Sequence, residues 1–200
     1  MKFLATLFAF VALPAMADIH IEGDALIYDT VTSSYVLNRL SDADAIGTLL
    51  RDNPEVRRVV ISGDFLMTRD ALDVARVVDD FGLDTEVRGT CSGGCLYILA
   101  AGKTRSLAKG GLLHLRRIVI PSEDLREQFD HQKAIYGWED EFDQAAFMYD
   151  RAQNDMRDAL GFLLDHGVSL TFALRVFDTP RQDFWTPTRE ELVAGGVIGR

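Results

Sequence analysis

Only two cysteines occur in 200 residues, at positions 91 and 95. That excludes a small fold stapled by several bridges, and a chain this long can bury a sizeable core without them. Five prolines and sixteen glycines exclude collagen-like and low-complexity chains. Basic residues are in short supply, 21 against 31 acidic, for a net charge of −10. Nucleic-acid binders carry the opposite bias, and anionic membranes repel such a surface. Beyond the first residues, no apolar run approaches the about 20 that a bilayer-spanning helix needs. What is present is a globular composition, 48% hydrophobic and 10% aromatic, which suits one domain.

The first residues read as an address. Met1-Lys2 is a short basic start, Phe3 to Leu13 is unbroken apolar chain, and Pro14-Ala15-Met16-Ala17 offers a small-residue cleavage site before Asp18. This is the secretory pattern, and the run is too short to span a bilayer comfortably. The expected organisation is a signal peptide over 1–17 and a single domain over 18–200. The product would be periplasmic or secreted, with no stable membrane insertion after cleavage. Loss of Lys2 takes the mature charge to −11, 20 basic residues against 31 acidic.

Export changes how the cysteines read. In an oxidising compartment, Cys91 and Cys95 are placed to form a disulfide. The small loop would stabilise the fold by about 2 kcal/mol and pin the local backbone. A redox-active pair and free thiols are the alternatives, although the spacing is C-x3-C and not the C-x2-C of thioredoxin-like sites. Without matched histidines the two make no zinc set, so no metal and no cofactor is implied.

Strand and helix signals alternate. Ile19–Ile27 reads as a strand, and Ser41-Asp42-Ala43-Asp44 caps a helix through Leu50 that Asn53-Pro54 ends. Val56–Ile61 is a β-branched strand. In the helix after Thr68, Ala71, Val74, Ala75, Val78 and Phe81 share one face, opposite Arg69, Asp73, Arg76 and Asp80. Thr85–Arg88 reads as a strand, Gly89–Cys95 as a tight turn, Leu96–Ala101 as a buried helix, and Leu112–Ile120 as one or two strands. This order implies an α/β fold with parallel strands and right-handed crossovers. From Ser122 the chain reads as helical. Phe142, Tyr149, Met156 and Leu163 recur at seven-residue spacing, with Ala145, Ala152 and Ala159 between them. Such a stripe packs either on its own domain or on an oligomer or partner, for which Tyr136, Trp138 and Tyr149 are candidate anchors. Ser169 starts a short helix that Thr179-Pro180 ends, and Thr188 leads into a last one over Arg189 to Ala194.

The turn and one histidine are the candidate site. A serine at a sharp strand-to-helix turn meets free backbone N–H groups that can hold an oxyanion. It also needs a histidine base that a carboxylate orients. Ser92 lies in the turn, and His114 follows in Leu112-Leu113-His114-Leu115. A core histidine with satisfied nitrogens is the other reading of His114. His20, His131 and His166 read as surface residues.

These landmarks, in order over about Val56 to Ile198, resemble the ClpP/crotonase superfamily. In particular they resemble exported bacterial relatives of the proteolytic subunit of the Clp protease. They include the strand Val59-Val60-Ile61, the helix Ala71–Phe81, the turn Cys91–Cys95, Ala101-Gly102-Lys103-Thr104-Arg105, and His114 on its strand. The tail Arg181–Pro187, Glu191-Leu192 and Gly196-Val197-Ile198 resembles the family's closing segment. The resemblance implies a stacked β-β-α core with a projecting helical handle, at about 122–166. It also implies a serine peptidase or hydrolase in which Ser92 attacks, His114 is the base and Asp183 orients it. Gly93, Gly94 and Gly63 would be the oxyanion donors.

The departures fall on those same roles. In exported relatives the turn reads Cys-x-Ser-small-Cys, and the serine position here is Gly93. Two oxyanion-loop glycines align with Phe65 and Leu66, and the family's acid aligns with Gln182, beside Asp183. Loss of an oxyanion donor removes about 10²–10³ in rate, and loss of a nucleophile around 10⁶. The expectation is a pseudoenzyme that acts by binding a protein or peptide, or as a homo-oligomer through the Phe142–Leu163 helix. The alternatives are a hydrolase using Ser92 and His114, and disulfide exchange through Cys91 and Cys95. Acyl-CoA chemistry, frequent in the superfamily, would need a basic phosphate cradle that the motifs do not offer.

Overall fold

Gly23, at φ 61°, and Asp24 break the first apolar run, so Ile19–Ile27 is not one strand but a hairpin. Its arms are β1 (Asp18–Glu22) and β2 (Ala25–Thr30), paired antiparallel. The computed structural model describes residues 18–30, 41–65, 68–117, 122–180 and 183–199. The expected signal peptide lies outside the described residues, as do Leu66, Gln182 and 118–120 of the expected strand 112–120. The chain continues through α1 (Asp42–Asp52), β3 (Arg58–Phe65), α2 (Thr68–Asp80), β4 (Asp84–Gly93), α3 (Cys95–Ala100), β5 (Arg105–Leu107) and β6 (Leu112–His114). It ends with α4 (Ser122–Tyr136), α5 (Glu141–Asp165), α6 (Leu170–Asp178) and α7 (Arg189–Ala194).

The fold is α/β. The sheet runs β1-β2-β3-β4-β5, with β6 also on β4, and every pair after the hairpin is parallel. One face carries the main core: Leu26, Tyr28, Val59, Ile61, Val87, Cys91 and Leu113. Ala71, Val74, Ala75 and Val78 of α2 pack on it, and each side chain of α3 is buried. Phe81, expected on that face, lies past the end of α2 and is exposed. Polar caps set the helix starts. Ser41 Oγ accepts from Asp44 N, Ser169 Oγ from Phe172 N, and Thr188 with Glu191 forms a reciprocal capping box.

The expected turn Gly89–Cys95 is strand as far as Gly93. Ile61 pairs with Val87 and Gly63 with Cys91, so β4 carries extra residues around Gly89, which takes φ 71°. Such a bulge bends a strand and re-aims the residues after it. The extra pairing partners, β3 on one side and β6 on the other, hold Thr90 to Ser92 extended. β5 is a strand that the sequence patterning did not indicate. Arg105 anchors it: its guanidinium donates to the carbonyls of Gly102, Gly196 and His166, tying β5 to the C-terminal segment.

Gly137 and Trp138 divide the last long helical region into α4 and α5. No described residue of α4 is buried, and α5 buries only Gln144, Ala159 and Leu163. Trp138 is no surface anchor. It is buried among Phe129, Tyr136 and Phe147, a small aromatic core within the helical pair.

Candidate active site

Three parallel strands place three polar residues side by side. In the ladder Asp64 of β3 pairs with Ser92 of β4, and Ser92 pairs with His114 of β6. Residues in register on neighbouring strands project to the same face. Leu113 and Leu115 point into the core, so the alternation of β6 turns His114 to the opposite, polar face. His114 is therefore half-buried and not a core histidine.

The serine is present, but its proton goes elsewhere. Ser92 Oγ donates to Asp64 Oδ1 at 2.7 Å. A hydroxyl has one proton to donate, and among the described residues no hydrogen bond joins Ser92 to His114. The other carboxylate oxygen of Asp64 faces Arg116 at 3.5 Å. Thr30 Oγ1 donates to the Asp64 carbonyl at 3.0 Å and fixes the end of β3. Ser92 is 7% exposed, so little of it is open to a substrate.

His114 and Arg116 share a cover. The Phe184 ring lies 5.8 Å from the His114 ring, and the Arg116 guanidinium lies 4.9 Å from the Phe184 centroid. The covering segment is held by reciprocal backbone bonds between Leu115 and Trp185, each at 2.8 Å. Asp183 belongs to it, but its carboxylate accepts from the Phe184 backbone N–H at 2.8 Å. Among the described residues no hydrogen bond joins Asp183 to His114.

The three candidate oxyanion glycines have other employment. The Gly94 N–H donates to the Phe65 carbonyl at 2.8 Å. A Cβ on Gly94 would collide with Ala71 of α2, and one on Gly93, at φ 63°, with the Phe65 carbonyl. Gly63, at φ 104°, has Thr30 where its Cβ would be. Each glycine lets two elements approach closely. The bridge between Cys91 and Cys95 joins the end of β4 to the start of α3, and both cysteines are fully buried.

No family model matches the chain, and no curated protein matches it. Among solved structures it is similar to an enoyl-CoA hydratase/isomerase from Marinobacter aquaeolei, at 10% identity and a TM-score of 0.49. That overlap covers 91% of this chain and 68% of the other. It is also similar to ThnE from S.clavuligerus, at 16% identity and a TM-score of 0.47, over 90% of this chain and 74% of that one. Overlaps at this level bear on neither reaction nor substrate. The α/β class rests on the sheet and helices described above.

Asp64 and Arg116 are the site residues that the sequence reading missed. Asp64 precedes Phe65, which the resemblance aligned with the family's oxyanion loop, but Ser62 to Phe65 is strand and Phe65 is buried against Tyr28. The Asp64–Ser92 pair is 28 residues apart in sequence, and only strand register brings it together. Arg116 could have been found from alternation, since it follows His114 by two on the same face.

Proposed function

We propose that the chain is an exported, catalytically inactive relative of the ClpP/crotonase superfamily that acts by binding another protein. The observation that carries this is the hydrogen bond from Ser92 to Asp64. A working serine nucleophile hands its proton to a histidine, and here the only proton Ser92 has is held by a carboxylate that Arg116 also engages. Two features add support. Gly94 spends its N–H on Phe65, and Asp183 spends its carboxylate on its own neighbour. Export is supported by the signal-like start and by a buried disulfide that suits an oxidising compartment. Among the described residues no helix is long and apolar enough to cross a membrane.

A fluorophosphonate probe tests the reading. The purified protein, disulfide intact, is treated with the probe beside Ser92→Ala, and intact mass is recorded. The expected result is no adduct on either protein. An adduct on the wild type that disappears in Ser92→Ala would establish an activated serine and replace this reading with the hydrolase, Ser92 attacking and His114 acting as base.

A further inference from the structure

We propose that α5 carries a docking seam for a cationic amphipathic helix of a partner protein. This deepens the binding reading above, on which it rests, by naming the class of partner.

The seam is the first two-thirds of the seven-residue stripe. Phe142 is 82% exposed, Tyr149 72% and Met156 47%, while Leu163 is buried in the body. At 100° per residue the three exposed side chains fall within about 40° of one another around the helix. Ala145, Ala146 and Ala152 lie on the same side and are exposed, so the strip is shallow between its large residues. The opposite side of α5 is already engaged. Gln144 Nε2 donates to the Leu125 carbonyl of α4 at 2.7 Å, and Phe147 packs on Tyr136 and Trp138. Asp155 accepts from Arg69 of α2 at 2.8 Å, and Arg151 pairs with Asp155 at 3.6 Å. The seam therefore faces away from both helices that could have covered it. Phe142 to Met156 spans about 21 Å of helix, enough for four turns of a partner. Apolar strips of this kind mark interaction surfaces.

Charge chooses the occupant. Residues 122–158 carry eleven acidic and four basic side chains. Glu141, Asp143 and Asp150 border the seam and are exposed. The nearest basic residue, Arg157, is spent on its own neighbour Asp158 at 2.9 Å. A second copy would set two such acidic helical pairs against each other. A partner helix with leucines on one stripe and lysines or arginines beside it would fill the seam and neutralise its border. Its approach would follow the shallow left-handed crossing that seven-residue spacing favours.

The test uses the full chain, expressed for export and purified with its disulfide formed. Three labelled peptides of about 18 residues, five turns of helix, serve as probes. One is a leucine–lysine peptide of helical period, one a scramble of the same composition, and one the leucine–glutamate counterpart. Fluorescence anisotropy reads binding, and light scattering reads the mass of the protein alone. The periodic leucine–lysine peptide is expected to bind at least about tenfold tighter than its scramble, which is 1.4 kcal/mol, and the leucine–glutamate peptide not at all. The double variant Phe142→Ser/Tyr149→Ser keeps every charge and alters only exposed residues. It should fold with an unchanged circular dichroism spectrum and bind about tenfold more weakly. Equal binding by the double variant, or equal binding of the scramble, overturns the seam. A wild-type dimer that the double variant converts to monomer overturns the partner and gives the seam to a second copy. The fluorophosphonate result is independent: an activated Ser92 with peptide binding intact removes the inactive reading and leaves the seam standing.

Discussion

Ser92 donates to Asp64 across the β3–β4 ladder at 2.7 Å, while His114, its register partner on the other side, receives nothing from it. Hydrogen bonds to charged groups contribute about 1.5–3 kcal/mol, less where one partner meets solvent as Asp64 does. The single variants Ser92→Ala and Asp64→Asn and their combination form a double-mutant cycle. Urea unfolding should give a coupling of about 1 kcal/mol between the two positions. Additive effects would mean that the bond does nothing for the fold, and that the serine is free to turn toward His114.

Much of the fold was legible because its signals are local. Ser41, Ser169 and Thr188 announced their helices, since a cap is a side chain reaching two or three residues along. The buried face of α2 followed from period alone. What was hidden depends on partners far along the chain. Gly89-Thr90-Cys91-Ser92-Gly93 has the composition of a turn, and pairing to β3 and β6 overrides that preference. The hairpin at Gly23 was missed because the segments on both sides of it are β-compatible and were read together, although Gly23-Asp24 interrupts them. Ser92 and His114 were found as a pair, and the ladder does place them side by side. The residue that holds the serine, Asp64, was missed because register is not a local property.

The disulfide offers a cleaner test than its redox chemistry would suggest. Cys91 and Cys95 are bonded and both are fully buried. Replacing both by alanine should lower stability by about 2 kcal/mol from the loss of loop closure. In the wild type, dithiothreitol followed by iodoacetamide should leave the folded protein unalkylated and add two labels in urea. Rapid alkylation of the native protein would show an accessible bridge and reopen the redox-active alternative.

Stability should fall on the alkaline side. Burial pushes the Tyr97 hydroxyl up to about 12, whereas an unfolded tyrosine ionises near 10. Above pH 10 the unfolded chain has released a proton that folded Tyr97 keeps, so stability declines as pH rises. The contribution is fully present below about pH 10 and is lost toward about pH 12, roughly 3 kcal/mol in all. Tyr28 acts in the same direction, raised by burial and by Asp42, to which it donates at 2.7 Å. Urea midpoints between about pH 9 and 11.5 should drop for the wild type and drop less for Tyr97→Phe. Identical slopes in the two proteins would show that Tyr97 ionises as readily folded as unfolded.

Gly93 decides whether the family's nucleophile can be restored. The resemblance places a serine at this position, so Gly93→Ser is the obvious repair. The backbone there has φ 63°, and the direction of a Cβ is filled by the Phe65 carbonyl. A left-handed conformation alone costs a non-glycine residue about 1–2 kcal/mol, and the carbonyl cannot withdraw without disturbing the β3–β4 pairing. Gly93→Ser should therefore lose at least about 2 kcal/mol by urea unfolding and gain no fluorophosphonate adduct. The same clash makes Gly93→Ala equally damaging, which separates backbone strain from any effect of the hydroxyl. A Gly93→Ser protein of wild-type stability that takes up the probe would mean that β3 yields and the site is one substitution from activity. Equal damage from alanine and serine, with no labelling, would mean that the close approach of β3 to β4 keeps a side-chain nucleophile out.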